Sequence, residues 1–383
     1  MTTNRAYALS ALTAVVLVGA VAAGGVAYWS LSRSPRHLSA ATVPSTPAVA
    51  NAGPYASAVD ASRRLARELV AGSNLPGLSV AVAVNGEIGW AEGFGWAEDD
   101  DRTPITPRTR FRLGALSKPL TSFGAALLHE RGRLDLDAPI QRYVPGYAAR
   151  RWTLTTRQVL GDVGGVHRIR GDNNDAMPTT HCDDLEQAVS LLAGDPLLFE
   201  PGSQHRYSIW GWVLASAAVE GAAGQPFGRY MANEVFAPLG MERTLVEEPE
   251  ALSDFAHTGS RPDYSCLAGG GAFLSTPTDL VRFGSAMLRP GVLKAETIAA
   301  FQEPTRLASG VATTYALGWT VTPVTVAGRP VRMLSHRGSP AGGTVALLTF
   351  PDLGLAIAVA TNGSVAAGLT PFALQVAGTF ASQ

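Results

Sequence analysis

A lysine at the start of an amphipathic helix is the residue of this chain best placed for chemistry. Leu116, Leu120, Phe123 and Leu127 recur at helical spacing up to a stop at Gly132, which predicts a helix with Lys118 in its first turn. Pro119 is tolerated there, because the first four N–H groups of a helix have no internal partner. A serine three residues before such a lysine would lie one turn away, within reach of an amine able to take its proton. That position is occupied by Ala115. Ser117 cannot take over, since adjacent helical residues diverge by about 100° and a neighbour of Lys118 does not face it. The pattern is a nucleophile-and-base pair without its nucleophile.

The elements that must hold such a site can be read in order. Apolar periodicity predicts a helix over Ala56–Ala71, and Leu78–Val84 and Glu87–Gly95 flank Asn85-Gly86, a pair suited to a type I′ hairpin turn. The middle, to about Leu288, is helical and loop-rich, with helices at Trp212–Glu220 and at Asp279–Leu288 behind a Thr276-Pro277 cap. Strands return at Tyr315–Val326, Val331–Ser335, Thr344–Phe350 and Leu355–Thr361, followed by a helix over Val365–Ala381. The expected fold class is therefore α+β: an antiparallel sheet built from both chain ends and flanked by helices, plus a helical lobe. A site is expected in the cleft between sheet and lobe.

The chain has 383 residues, 46% hydrophobic and 16% charged, with net charge -1. Such a balance offers no basic face for nucleic acid. No charge interrupts the chain between Arg5 and Arg33, and residues 6–31 are apolar enough to span a bilayer core. Residues 1–33 read as a membrane anchor, or alternatively as a signal segment cleaved near Ala20-Val21-Ala22 to release a secreted protein. Residues 34–53, rich in Pro, Ala, Ser and Thr, read as a flexible linker to a domain over 54–383, placed outside the cytoplasm. Cys182 and Cys266 could pair in such a compartment or remain free buried thiols. His167, His181, Cys182, Asp183 and Asp184 are metal-ligand types within a polar segment, Gly161–Asp184. They repeat no ligand spacing, so that segment reads as a surface loop, and neither a metal nor a cofactor is assigned.

Ordered segments across Ala56–Phe380 resemble the beta-lactamase-related serine hydrolase family, which spans class C beta-lactamases, D-Ala-D-Ala carboxypeptidases, esterases and mitochondrial beta-lactamase-like proteins. They include Gly93-Phe94-Gly95-Trp96-Ala97, Phe111-Arg112-Leu113-Gly114, Ser117-Lys118-Pro119, Phe199-Glu200-Pro201-Gly202, Tyr207-Ser208 and Pro238-Leu239-Gly240-Met241. The resemblance implies that Ala115 stands at the nucleophile position of the S-x-x-K motif and that Lys118 is its proton-taking lysine. It implies that Tyr207 is the tyrosine of Y-x-N, which passes a proton to the leaving group. His336-Arg337-Gly338 resembles the H-x-G form of the third motif, which places His336, Gly338 and Ser339 on the substrate and oxyanion side.

Three departures qualify the resemblance. Ala115 lacks the hydroxyl, Ile209 replaces the motif Asn, and Gly161-Asp162-Val163-Gly164-Gly165 stands where relatives often read S-H-T-S-G. The family acts by acyl transfer on peptide, ester or lactam carbonyls, so a small ligand of that kind is the expected cleft partner. Two functions follow: a hydrolase, impaired here or stripped of its nucleophile by replacement, and a pseudoenzyme serving in binding or assembly, with a second copy of the chain as partner. Because Lys118 and Tyr207 are retained, Ala115→Ser is expected to regain ester hydrolysis.

Overall fold

Two buried strands, β2 (Gly77–Val84) and β3 (Glu87–Gly95), form the hairpin read from the sequence, with Asn85 and Gly86 both in the left-handed region at φ 52° and 90°. The computed structural model describes residues 39–50, 53–97, 103–167, 180–247, 256 and 262–383. Among these, β1 (Ser45–Ala50) joins β3, and the C-terminal strands β7 (Thr320–Val326), β8 (Arg329–Gly338), β9 (Thr344–Phe350) and β10 (Leu355–Thr361) complete an antiparallel seven-stranded sheet. Its order is β1-β3-β2-β10-β9-β8-β7. The joint between the chain ends is β2 against β10, with Val82 opposite Ile357 and Ala81 opposite Ala358.

Strand alternation divides the small side chains from the large. Ala81, Ala83, Ala356, Ala358 and Ala360 join the core shared with the lobe, whereas Val80, Val82, Ile357 and Val359, at alternate positions, belong to the other face. The small face admits the Pro277–Ala286 helix so closely that a Cβ on Gly284 would lie 3.0 Å from Thr349 and 3.1 Å from Ala356. The Ala56–Gly72 and Thr370–Ala381 helices pack on each other, tied by a 2.8 Å hydrogen bond between Ser62 and Thr379.

The lobe is built on the Ser117–Glu130 and Ile209–Ala223 helices and on a small sheet in which β6 (Phe273–Ser275) lies between β4 (Phe111–Arg112) and β5 (Leu245–Val246). Ile209–Ala223 is apolar nearly all round and buried accordingly. Ser208 caps it by accepting from the Gly211 N–H at 2.9 Å, and Gly224 ends it at φ 61°.

Several expectations need correction. Part of the expected linker, Ser45–Ala50, is an edge strand, because β3 offers it an unpaired row of backbone groups. Residues 161–167 of the expected surface loop are buried, held by Gly202 N donating to Val163 O at 2.8 Å and Leu198 N donating to Gly165 O at 2.9 Å. The last helix begins at Thr370, with Pro371 in its first turn rather than its interior. β7 begins at Thr320, and Tyr315 is joined to it only by an isolated bridge. Of the two states left open for Cys182 and Cys266, the structure has the pair: they form a disulfide with Cα atoms 5.0 Å apart. Among the described residues no helix is long and apolar enough to cross a membrane; the apolar run 6–31 lies outside them.

Candidate active site

Ala115 sits in a short 3₁₀ turn, Gly114–Leu116, that runs directly into the Ser117–Glu130 helix. Gly114, at φ 50°, turns the chain against Pro340. Ser117 is fully buried, and its Oγ accepts the Phe273 N–H at 3.2 Å, so it braces β6 and does not face the cleft. Ala115 is partly exposed and lines a cavity of about 480 Å³ together with Asp162, His205, Tyr207, Ile209, Tyr264, Tyr315, His336, Arg337 and Ser339.

Lys118 is 0% exposed. Its Nζ donates to Ser208 O at 3.2 Å, lies 3.8 Å from Asp162 Oδ2 and stands 3.4 Å from the centre of the Tyr207 ring. Tyr207 is 41% exposed, an unusual state for a large aromatic, and its ring lies between ammonium and cleft. Lys118 and Tyr207, both read from the sequence as site residues, are neighbours, with the lysine beneath the cavity wall rather than in it. Asp162 is 3% exposed and left-handed at φ 53°. Its Oδ1 accepts the Trp212 indole N–H at 3.0 Å, and its carbonyl accepts the Arg206 N–H at 2.8 Å.

The end of β8 forms the opposite wall. Gly338 is indispensable there, since a Cβ would lie 1.8 Å from Leu113 O. That approach brings Ser339 and Ala115 into one cavity. His336 is 8% exposed; its Nδ1 lies 3.0 Å from Arg337 O and its Nε2 3.2 Å from the Tyr315 hydroxyl. A carbonyl can only accept, so Nδ1 carries the proton and Nε2 accepts from Tyr315 O–H. Burial, reinforced by the Lys118 charge, lowers the His336 pKa to about 3, and the ring is neutral near pH 7. Burial likewise holds the Tyr315 hydroxyl well above its ordinary value. His205, its ring tilted against Tyr315 with centres 5.5 Å apart, is also pushed down, by burial first and by Lys118 second.

Ile209, where many relatives carry Asn, packs with Tyr264, Leu267 and Ala272 and makes this wall apolar. Tyr264 is fixed by the Arg112 guanidinium 4.5 Å above its ring and by the Ala341 N–H, which donates to its hydroxyl at 2.9 Å. Arg112 is itself ion-paired with Glu247 and donates to Pro262 O at 3.0 Å. Tyr315, Tyr264 and His205 carry no local motif, so sequence reasoning missed them; Arg112 was quoted only as part of a segment. Of the metal-ligand types, His181 contacts Asp263 at 2.6 Å and Asp183 at 3.6 Å, and among the described residues no group of three or more His, Cys, Asp or Glu is arranged to hold a metal ion.

A lysine and a tyrosine meeting beside a helix start, across from an H-x-G strand end, on this sheet and lobe, define a fold of the penicillin-recognising serine hydrolase class. The Beta-lactamase family model matches residues 62–376, and the chain belongs to that family. It is 28% identical to the mouse mitochondrial serine beta-lactamase-like protein LACTB, over 81% of this chain and 75% of that protein. It is also 28% identical to penicillin-binding protein 4* of Bacillus subtilis (strain 168), over 72% of this chain and 65% of that one. Among solved structures, the octameric penicillin-binding protein homologue from Pyrococcus abyssi matches with a TM-score of 0.71 at 21% identity, covering 85% of this chain and 78% of that one, which concerns the fold alone.

Proposed function

We propose that this protein is a membrane-tethered member of the family whose cleft binds a small peptide, ester or lactam carbonyl without forming an acyl-enzyme. The observation that carries the reading is Ala115 at the cavity wall where the family's serine is expected, with Ser117 committed to Phe273 behind it. Loss of such a nucleophile costs on the order of a million-fold in turnover, enough to separate a binding protein from a slow enzyme. The apolar run 6–31 supports tethering. The Cys182–Cys266 bridge supports an oxidising compartment for the domain.

The test is incubation with a labelled penicillin and with a fluorophosphonate, read by intact mass, beside equilibrium binding of the unreacted penicillin. Reversible binding with no mass increase is expected. A stable adduct on any cleft residue, or p-nitrophenyl ester turnover that falls in Lys118→Ala and Tyr207→Phe, overturns the reading.

A further inference from the structure

We infer that Asp162 is a positioning residue that holds Lys118 as the cation of a buried ion pair, so that the chain carries two locks against acyl transfer and the missing hydroxyl at 115 is only one of them. The inference rests on the proposed reading of Ala115 and adds a second residue to it. Three observations carry it. The Asp162 carboxylate and the Lys118 amine are both almost wholly removed from water, at 1% and 0% side-chain exposure, and lie 3.8 Å apart. A carboxylate in such a setting favours the charged form of its neighbour. The amine is further engaged by Ser208 O and by the face of the Tyr207 ring, both of which favour a cation.

The carboxylate is held in place by the fold. The left-handed backbone at Asp162, with its carbonyl accepting from Arg206 and its Oδ1 from Trp212, aims the second oxygen at Lys118. Of the other titratable groups near the pair, His205 and His336 are disfavoured as cations by burial first and by the Lys118 charge second, Tyr315 is held neutral by burial and partly by Asp162, and the Tyr207 ring covers the amine. Lys118 and Asp162 are thus the buried charged pair among these neutral groups, with Arg337 as an exposed cation in the same cavity wall. An ammonium has no lone pair with which to take a serine proton. A hydroxyl returned to residue 115 therefore meets a spent base, and the recovery expected from Ala115→Ser alone does not follow.

The chain contains only two lysines, Lys118 and Lys294, which makes a direct measurement simple. Asn suits the left-handed region, and its amide oxygen can still accept from Trp212, so Asp162→Asn keeps the local fold. In ε-¹³C-lysine-labelled protein, the Lys118 signal is expected to titrate at lower pH in Asp162→Asn than in the parent, with exposed Lys294 unmoved. Fluorophosphonate labelling of Ala115→Ser is expected to quicken about tenfold or more when Asp162→Asn is added, since each pKa unit changes the free-amine fraction tenfold. In that reaction the serine Oγ bonds to phosphorus, fluoride leaves and the hydroxyl proton passes to Lys118. Equal labelling of the single and double variants, or an unmoved Lys118 titration, overturns the inference. Labelling of the unaltered Ala115 chain instead overturns the proposed function and leaves the ion pair to be judged by the titration alone.

Discussion

His336 at the end of β8 is neutral because burial disfavours its charged form, an effect reinforced by the Lys118 charge behind the cavity wall. Its folded pKa of about 3 lies below the ordinary histidine value of 6.5, so between these values the unfolded chain binds a proton that the folded chain does not. Stability from this group is therefore fully present above about pH 6.5 and is lost as pH falls toward 3. Urea unfolding at several pH values should show the parent losing stability over that window, by a few kcal/mol more than His336→Gln loses. Parallel pH profiles for the two proteins would contradict the assignment. At this scale, legibility follows sequence distance. Ala115 and Lys118 were readable because one helical turn links them, whereas the meeting of Asp162 with Trp212 and Lys118 is made by the tertiary fold. Asp162 was visible only as a departure from a motif, with no sign of what its carboxylate touches.

Elements with a strong period or turn signature were legible, and those defined by a partner were not. The β2–β3 hairpin announces itself through Asn85-Gly86, and the Pro277–Ala286 helix through Thr276, whose side chain accepts the Asp279 N–H. β1 reads S-T-P-A-V-A, a composition suited to a linker, and it is a strand only because the edge of β3 accepts it. Its contribution can be tested by truncation. A chain beginning at Ser39 retains the pairing of Ser45 with Phe94 and the burial of Val43, while one beginning at Asn51 leaves the edge of β3 bare. The shorter chain is expected to melt at lower temperature and to self-associate in size-exclusion chromatography, because an unpaired edge recruits other strands. Identical melting and elution of the two chains would show that β1 adds nothing to the sheet.

At the scale of the whole molecule, the sheet spanning both chain ends was readable from the order of strand patterns, but the covalent bond across the lobe was not. Two cysteines 84 residues apart carry no signature of proximity; the fold brings segment 180–184 against Tyr264–Ser265, where the Cys182 N–H also donates to Ser265 Oγ at 3.0 Å. Closing so long a loop restricts the unfolded chain by about 4–5 kcal/mol in the chain-entropy model. The bridge also stands next to the cleft, because Cys266 immediately precedes Leu267 in the cavity wall. The bond should persist only where thiols are not kept reduced, which ties the stability of the domain to the redox state of its compartment. The expected outcome has two parts. Full-length protein extracted from washed membranes into an alkylating denaturant, without reductant, should carry no alkyl group on either cysteine, and Cys182→Ser/Cys266→Ser should lose about 2–4 kcal/mol in urea unfolding. Recovery of the chain in the soluble fraction with an intact N-terminus would remove the tether. Alkylation of both cysteines in membrane-bound protein would place the domain on the reducing side, where this bridge cannot contribute.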